Sequence, residues 1–177
     1  LIFLINTMVH LKKVFPNFKL VMVGGTNTEL SELRKNSIKK KVDKNIIFIG
    51  TVPYSEVPKF LSAADICVSP IPPIPAYIVS SPTKIIEGLG MAKPAVANEE
   101  IYDQKKVLKE SNGGICVTYS EKAFADAISY LFNNPSIAQN MGKMGRKYIE
   151  LHRDYHKLAY KVHQSYSYLL KRTVHQK

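Results

Sequence analysis

The chain has 177 residues, 45% of them hydrophobic and 22% charged, the profile of a folded domain large enough to bury its own core. Its net charge of +11 favours anionic partners such as nucleotides, nucleic acid or acidic membrane surfaces, without choosing among them. No apolar run approaches the roughly 18 residues a membrane span needs, and the opening LIFLINTMVHLKKVF lacks the basic start and small-residue cleavage site of a secretory leader.

The apolar-periodic segment from Ile2 to Phe15 stops before Pro16 and predicts a helix ended by its breaker. It starts almost at Leu1, with no initiator Met, which suggests a domain cut from a longer protein. KLVMVGG reads as a buried strand closed by Gly24 and Gly25. TELSELRKNSIKKKV is a polar helix with Thr28 as its cap, Leu30 and Leu33 turned inward, and its lysines in water. IIFIG (Ile46 to Gly50) is the second strand, SEVPKFLSAA a short helix and DICVS the third strand. Pro70, Pro72, Pro73 and Pro75 make a stiff loop that cannot be a central strand. A helix follows from Pro82 to about Ala92, closed by Lys93-Pro94. PAVAN is then the fourth strand, YDQKKVLKES a helix and GGICVT the fifth strand. Beyond Ser120 the pattern is helical throughout: EKAFADAISYLF, PSIAQNMGKMGRKYIE and a long last segment.

Short apolar strands alternating with helices predict an α/β fold, a Rossmann-like parallel sheet with helices on both faces. In such sheets ligands bind beyond the carboxyl ends of the strands. The Gly24-Gly25 turn, the Gly50-Thr51-Val52 turn and the proline-rich loop follow strands and belong to that edge. Gly113-Gly114 precedes a strand and belongs opposite.

The stretch SSPTKIIEGLGMAKPAV, from Ser80 to Val96, concentrates the chemistry. With Pro82 as the first helical residue, Ser81 is the N-cap, and the unpaired N–H groups of that turn form an anion site. Lys84 in the same turn opposes the helix dipole, a placement a bound diphosphate would justify. Thr83 and Glu87 share a helix face. Glu87 therefore stands about one turn deeper, where a carboxylate can accept two hydrogen bonds from a vicinal diol such as a ribose. Gly88 and Gly90 each cost about 1 kcal/mol relative to alanine, so they predict unusually close packing. From spacing alone, a structural helix with a solvated lysine and a glutamate at its rim reads equally well.

SSPTKIIEGLGMAKPAVAN resembles the nucleotide-sugar signature of retaining GT-B glycosyltransferases, group 1 (family 4), which often reads P-[ST]-K-x-x-E-x-x-x-x-G-K-P-V-[IV]-A. FPNFKLVMVGG, NIIFIGTVPYSEVPKFLSAADICVSP and NGGICV resemble the family's neighbouring motifs in the same order, covering roughly Phe15 to Glu150. The resemblance implies the C-terminal, donor-binding half of a GT-B enzyme. It makes residues 1–150 a Rossmann-like nucleotide-sugar-binding domain and 151–177 a C-terminal helix that packs across to an N-terminal acceptor domain. By the same resemblance Glu87 binds the donor ribose, and Ser80, Ser81, Pro82, Thr83 and Lys84 hold the diphosphate, with Lys84 neutralising it as it leaves. Thr51, Val52, Pro53 and Tyr54 lie against the base, and Gly24 and Gly25 close the first strand's turn. Val79 occupies the first glutamate position of the family's E-x7-E pair, which leaves the sugar preference open.

The activity so implied is transfer of a sugar from a UDP- or GDP-sugar to an acceptor hydroxyl, in polysaccharide or glycolipid synthesis, at a cytoplasmic location or the inner face of the membrane. The family's cationic R…K-G segment and acceptor domain would lie upstream of Leu1, so this chain should bind nucleotide weakly and catalyse nothing alone. No D-x-D motif is present, and a metal-independent reaction without cofactors is expected, helix dipole and lysine replacing a divalent ion. The rival reading is a non-catalytic basic α/β module that binds RNA or an anionic membrane. Against RNA, the basic run KKKVDK carries no interleaved aromatics.

Other features are read structurally. Cys67 and Cys116, in apolar DICVS and GICVT, are free thiols. His152, His156 and His163 have metal-compatible spacing but no accompanying HExxH glutamate, so they read as a solvated basic helix face. Tyr148, Leu151, Tyr155, Leu158, Val162, Tyr166 and Leu169 form a helical stripe for packing, with interfacial membrane contact as the weaker alternative.

Overall fold

The computed structural model describes residues 1–174. Five parallel strands alternate with helices in an α/β, Rossmann-like arrangement. In chain order these are α1 (Ile2–Val14), β1 (Leu20–Val23), α2 (Asn27–Lys39), β2 (Ile46–Ile49), α3 (Val57–Ala63) and β3 (Cys67–Ser69). There follow α4 (Pro75–Ile78), α5 (Thr83–Gly90), β4 (Ala95–Asn98), α6 (Tyr102–Ser111), β5 (Gly114–Val117), α7 (Glu121–Asn133), α8 (Pro135–His152) and α9 (Tyr155–Val174).

Pairing is parallel throughout but divided between two sheets, β1–β2 and β3–β4–β5, where a single sheet was expected. Leu20 registers with Ile46, Cys67 with Ala95, and Ala95 with Gly114. The helices divide between two cores rather than between the two sheets. Leu4, Ile5, Met8 and Leu11 of α1, Leu30 and Leu33 of α2, and Phe124, Ile128 and Leu131 of α7 form one core with Met22, Phe48 and Val96. Ile85 and Leu89 of α5 and Val107 and Leu108 of α6 form the other with Ala95 and Ala97, and Tyr148 and Ile149 of α8 pack against it.

Strand β4 is thus covered on both sides, its side chains alternating between the two cores, and all four of its residues are buried. The β1–β2 pair departs from the expected burial. Val21, Val23 and Ile47 remain 46%, 38% and 45% exposed, because α1 and α2 cover only the face that carries Met22 and Phe48.

Local chemistry explains most of the boundaries. The α1 helix ends at Phe15, whose N–H reaches Leu11 O, just before Pro16. The cap of α2 is Thr26 rather than Thr28. Its hydroxyl accepts from the Glu29 N–H while the Glu29 carboxylate accepts from the Thr26 N–H at 2.8 Å, a reciprocal capping box. The proline-rich loop contains the single turn α4, which starts on Pro75, where a missing N–H costs nothing. Gly142 and Gly145 are the buried residues of α8 and let it lie close on α5 and the turn after it. A Cβ at Gly142 would strike the Ala92 carbonyl.

Candidate functional site

The carboxyl ends of β1 and β2 are joined by backbone. The Gly24 N–H donates to Ile49 O at 3.0 Å and to Gly50 O at 3.2 Å, and the Thr51 hydroxyl lies 3.4 Å from Gly25 O. Gly24 and Gly25 have φ of 101° and 100°, the left-handed region that glycine enters without a Cβ penalty. From this turn, Val52 and Pro53 lead into a 3-10 turn over Tyr54–Glu56, and Tyr54 is 76% exposed. Its hydroxyl donates to Glu87 Oε1 at 3.3 Å. The structure therefore brings the Thr51–Tyr54 segment to the half-buried carboxylate on α5, a contact sequence spacing could not show. The charge of Glu87, and then the hydrogen bond to it, raise the Tyr54 phenol above its ordinary value.

The α5 helix starts one residue later than expected. Pro82 is the N-cap, with extended φ and ψ of −71° and 124°, and no side chain caps the first turn. Ser81 does not cap. Its hydroxyl donates instead to Asp103 Oδ2 at 2.6 Å, on the first turn of α6. A carboxylate is the stronger acceptor, so the hydroxyl is held off the α5 amides and Ser81 lies one residue before the observed N-cap. Ser80 is tied back to Tyr77 O through both its N–H and its hydroxyl. Thr83 and Lys84 are exposed in the uncapped turn, and Lys84 makes no ion pair among the described residues. Free donors, a free cation and a carboxylate one turn on can bind an anion and an adjoining diol.

Gly88 sits in the close packing expected of it. A Cβ there would lie 2.7 Å from Cys67 Sγ and 2.9 Å from Cys67 Cβ, so α5 lies against β3 only because the side chain is missing. Gly90 has no such reason, since nothing lies within 4 Å of its would-be Cβ. Val79, 84% exposed after α4, offers no polar atom at the mouth.

Two polar groups that sequence reasoning missed shape the same edge. Asn98, fully buried at the end of β4, accepts from the Ile71 N–H at 2.8 Å and donates to Ile71 O at 3.0 Å. It also donates to Glu100 Oε2 at 3.0 Å, while Glu100 Oε1 accepts from the Tyr119 N–H. Burial opposes the Glu100 charge, but these bonds outweigh it and hold the carboxyl below its usual range. A buried Asn closing a strand was the available signal, but its partner lies in a loop 27 residues away.

The remaining candidates lie apart from this edge. Cys67 and Cys116 are free, as expected, and half-buried. The His152 ring packs on Tyr148 at 4.5 Å between centroids, and no group of three or more His, Cys, Asp or Glu could hold a metal among the described residues. Of the C-terminal stripe, Tyr148 is half-buried and bonded to Glu110, whereas Leu151, Tyr155, Val162 and Tyr166 are exposed. Two open depressions, one between α8 and Asn112 and one along the α8–α9 junction, contain none of the predicted site residues. No helix among the described residues is long and apolar enough to cross a membrane.

The family model for glycosyl transferases group 1 matches residues 1–148. The chain is a group 1 glycosyl transferase domain. No curated protein matches it in sequence. Sucrose-phosphate synthase from Thermosynechococcus elongatus superposes on 96% of the chain with a TM-score of 0.82 at 22% identity, over 43% of its own length. Anabaena HepE, solved with UDP and glucose, superposes on 93% with a TM-score of 0.78 at 15% identity, over 44% of its length. The C-terminal domain of the group 1 family protein LpcC from Francisella tularensis superposes on 87% with a TM-score of 0.72 at 18% identity, over 79% of its length. The group 1 domain thus spans less than half of the first two proteins and most of the third, which is an isolated C-terminal domain.

Proposed function

We propose that this group 1 domain is the donor-binding, C-terminal half of a retaining, family 4 GT-B glycosyltransferase. Its donor is a UDP- or GDP-sugar, passed to an acceptor hydroxyl in polysaccharide or glycolipid synthesis. The observation that carries the reading is the uncapped start of α5, bearing free Lys84, with Glu87 one turn deeper and half-buried beside Tyr54. Amides and ammonium suit a diphosphate, whose departing charge is stabilised electrostatically without a metal. The Glu87 carboxylate suits the ribose diol. UDP bound in the HepE structure supports the nucleotide class.

The complementary acceptor domain is expected in the same polypeptide, and the exposed Tyr155, Val162 and Tyr166 on α9 offer it an apolar face. The 177-residue chain alone is expected to bind nucleotide without turnover, at a cytoplasmic site or the inner membrane face, and not to serve nucleic acid. Calorimetry with UDP, GDP and ADP at moderate salt tests this. One nucleoside diphosphate should bind specifically, and Glu87→Ala should weaken it about tenfold. Base-indifferent binding of all polyanions with a steep salt slope would instead make the domain a general basic module.

A further inference from the structure

We propose that Asp103 is a positioning residue for the start of α5, acting through Ser81 and anchored by Arg153. The inference rests on the donor-site reading above. Asp103 Oδ2 accepts the Ser81 hydroxyl at 2.6 Å, and Asp103 Oδ1 accepts from Arg153 Nη2 at 2.7 Å. One carboxylate thus gathers the segment before α5, the first turn of α6 and the C-cap residue of α8. The Asp103–Arg153 pair is sheltered, with side-chain exposures of 18% and 26%.

The arrangement does three things for an anion site at α5. It commits the Ser81 hydroxyl as a donor away from the helix, so the hydroxyl nearest the entrance does not occupy the first-turn amides, and α5 has no side-chain cap. It fixes Ser81 while Ser80 is fixed on Tyr77 O, so the chain enters Pro82 along a set path before any ligand arrives. It also pairs a carboxylate near a phosphate site with a guanidinium, removing the repulsion an unpaired Asp103 would exert. Arg153 caps the end of α8, with Asp154 alone between it and α9, so the same pair ties the approach to α5 to the α8–α9 junction.

The test uses the 177-residue chain, its Asp103→Ala, Asp103→Asn and Ser81→Ala variants, and the Asp103→Ala/Ser81→Ala double variant. Asparagine keeps a carbonyl acceptor for Ser81 but loses the ion pair. Three quantities are read: UDP affinity by calorimetry, the Thr83 and Lys84 amide resonances of the ligand-free chain, and the thermal midpoint. Asp103→Ala and Ser81→Ala should each move both resonances and weaken UDP binding about tenfold, with the double variant no weaker than either. Asp103→Asn should keep the resonances and the affinity close to wild type while its midpoint falls with that of Asp103→Ala. Affinity that follows the midpoint across the series, or single losses that multiply in the double variant, would overturn the proposal. If the wild type binds neither UDP nor GDP, the donor-site reading fails. The resonances still decide the positioning role, and amides unmoved by Asp103→Ala reject it.

Discussion

Tyr54 and Glu87 meet across the mouth of the candidate site, the phenol oxygen 3.3 Å from Glu87 Oε1 although 33 residues separate them. The contact sets the Tyr54 titration, because a phenolate beside a carboxylate is disfavoured. Glu87→Gln should lower the Tyr54 pKa toward the ordinary tyrosine value, read from the Tyr54 ring resonances as pH rises. A titration unmoved by the substitution would mean the two groups do not meet in solution. Tyr54→Phe keeps the ring and frees the carboxylate, so it should leave UDP binding undiminished.

Gly88 and Gly90 share a helix and should respond in opposite directions. Gly88→Ala forces a Cβ to within 2.7 Å of Cys67 Sγ and should cost about 1–3 kcal/mol by overpacking. Adding Cys67→Ala removes the sulfur but not the Cys67 Cβ, so it should recover only part of the loss. Gly90→Ala meets nothing and should stabilise by about 0.5–1 kcal/mol. Urea unfolding of the four chains measures all three effects.

Acid should loosen the Ser81–Asp103–Arg153 junction. Burial raises the Asp103 carboxyl, but its bonds to Ser81 and Arg153 outweigh that and hold it below the usual range. A carboxyl lowered by folding stabilises above its unfolded pKa, about 3.9, and that stability disappears as pH falls through the folded value. Asp103→Asn should therefore melt below wild type near neutrality, and the gap should narrow below about pH 4. A constant gap in thermal scans would sink the linkage. Glu100 shifts in the same direction and should keep part of the acid sensitivity in the variant.

The two thiols should be quiet at neutral pH. Burial pushes Cys67 and Cys116 up to about 11, so little thiolate is present to react. A thiol-disulfide reagent should modify both slowly in the native chain and rapidly in urea. Rapid native labelling of Cys67 would contradict the close seating of α5 on β3.

What could be read beforehand was local. Tyr102–Ser111 follows its helical stretch residue for residue, and the Gly24-Gly25 turn follows its strand, because breakers and periodicity act within a few positions. The Thr26 cap was also legible, since Thr26 and Glu29 stand three apart as a capping box requires, whereas Thr28 has no such partner at that spacing. Ser81 could not be read correctly from its surroundings, because the acceptor that claims its hydroxyl lies 22 residues downstream. The division of the strands into two sheets and the bare face of Val21 and Val23 likewise depend on which helices pack together.

The hold of Asn98 on Ile71 carries its own consequence. Its side-chain amide offers Ile71 the donor and acceptor pair that a neighbouring strand's backbone would supply, so the proline-rich lip after β3 is fastened to the end of β4 as well as stiffened by its prolines. A guest entering from that edge finds a rim already frozen and surrenders little conformational entropy in settling against it.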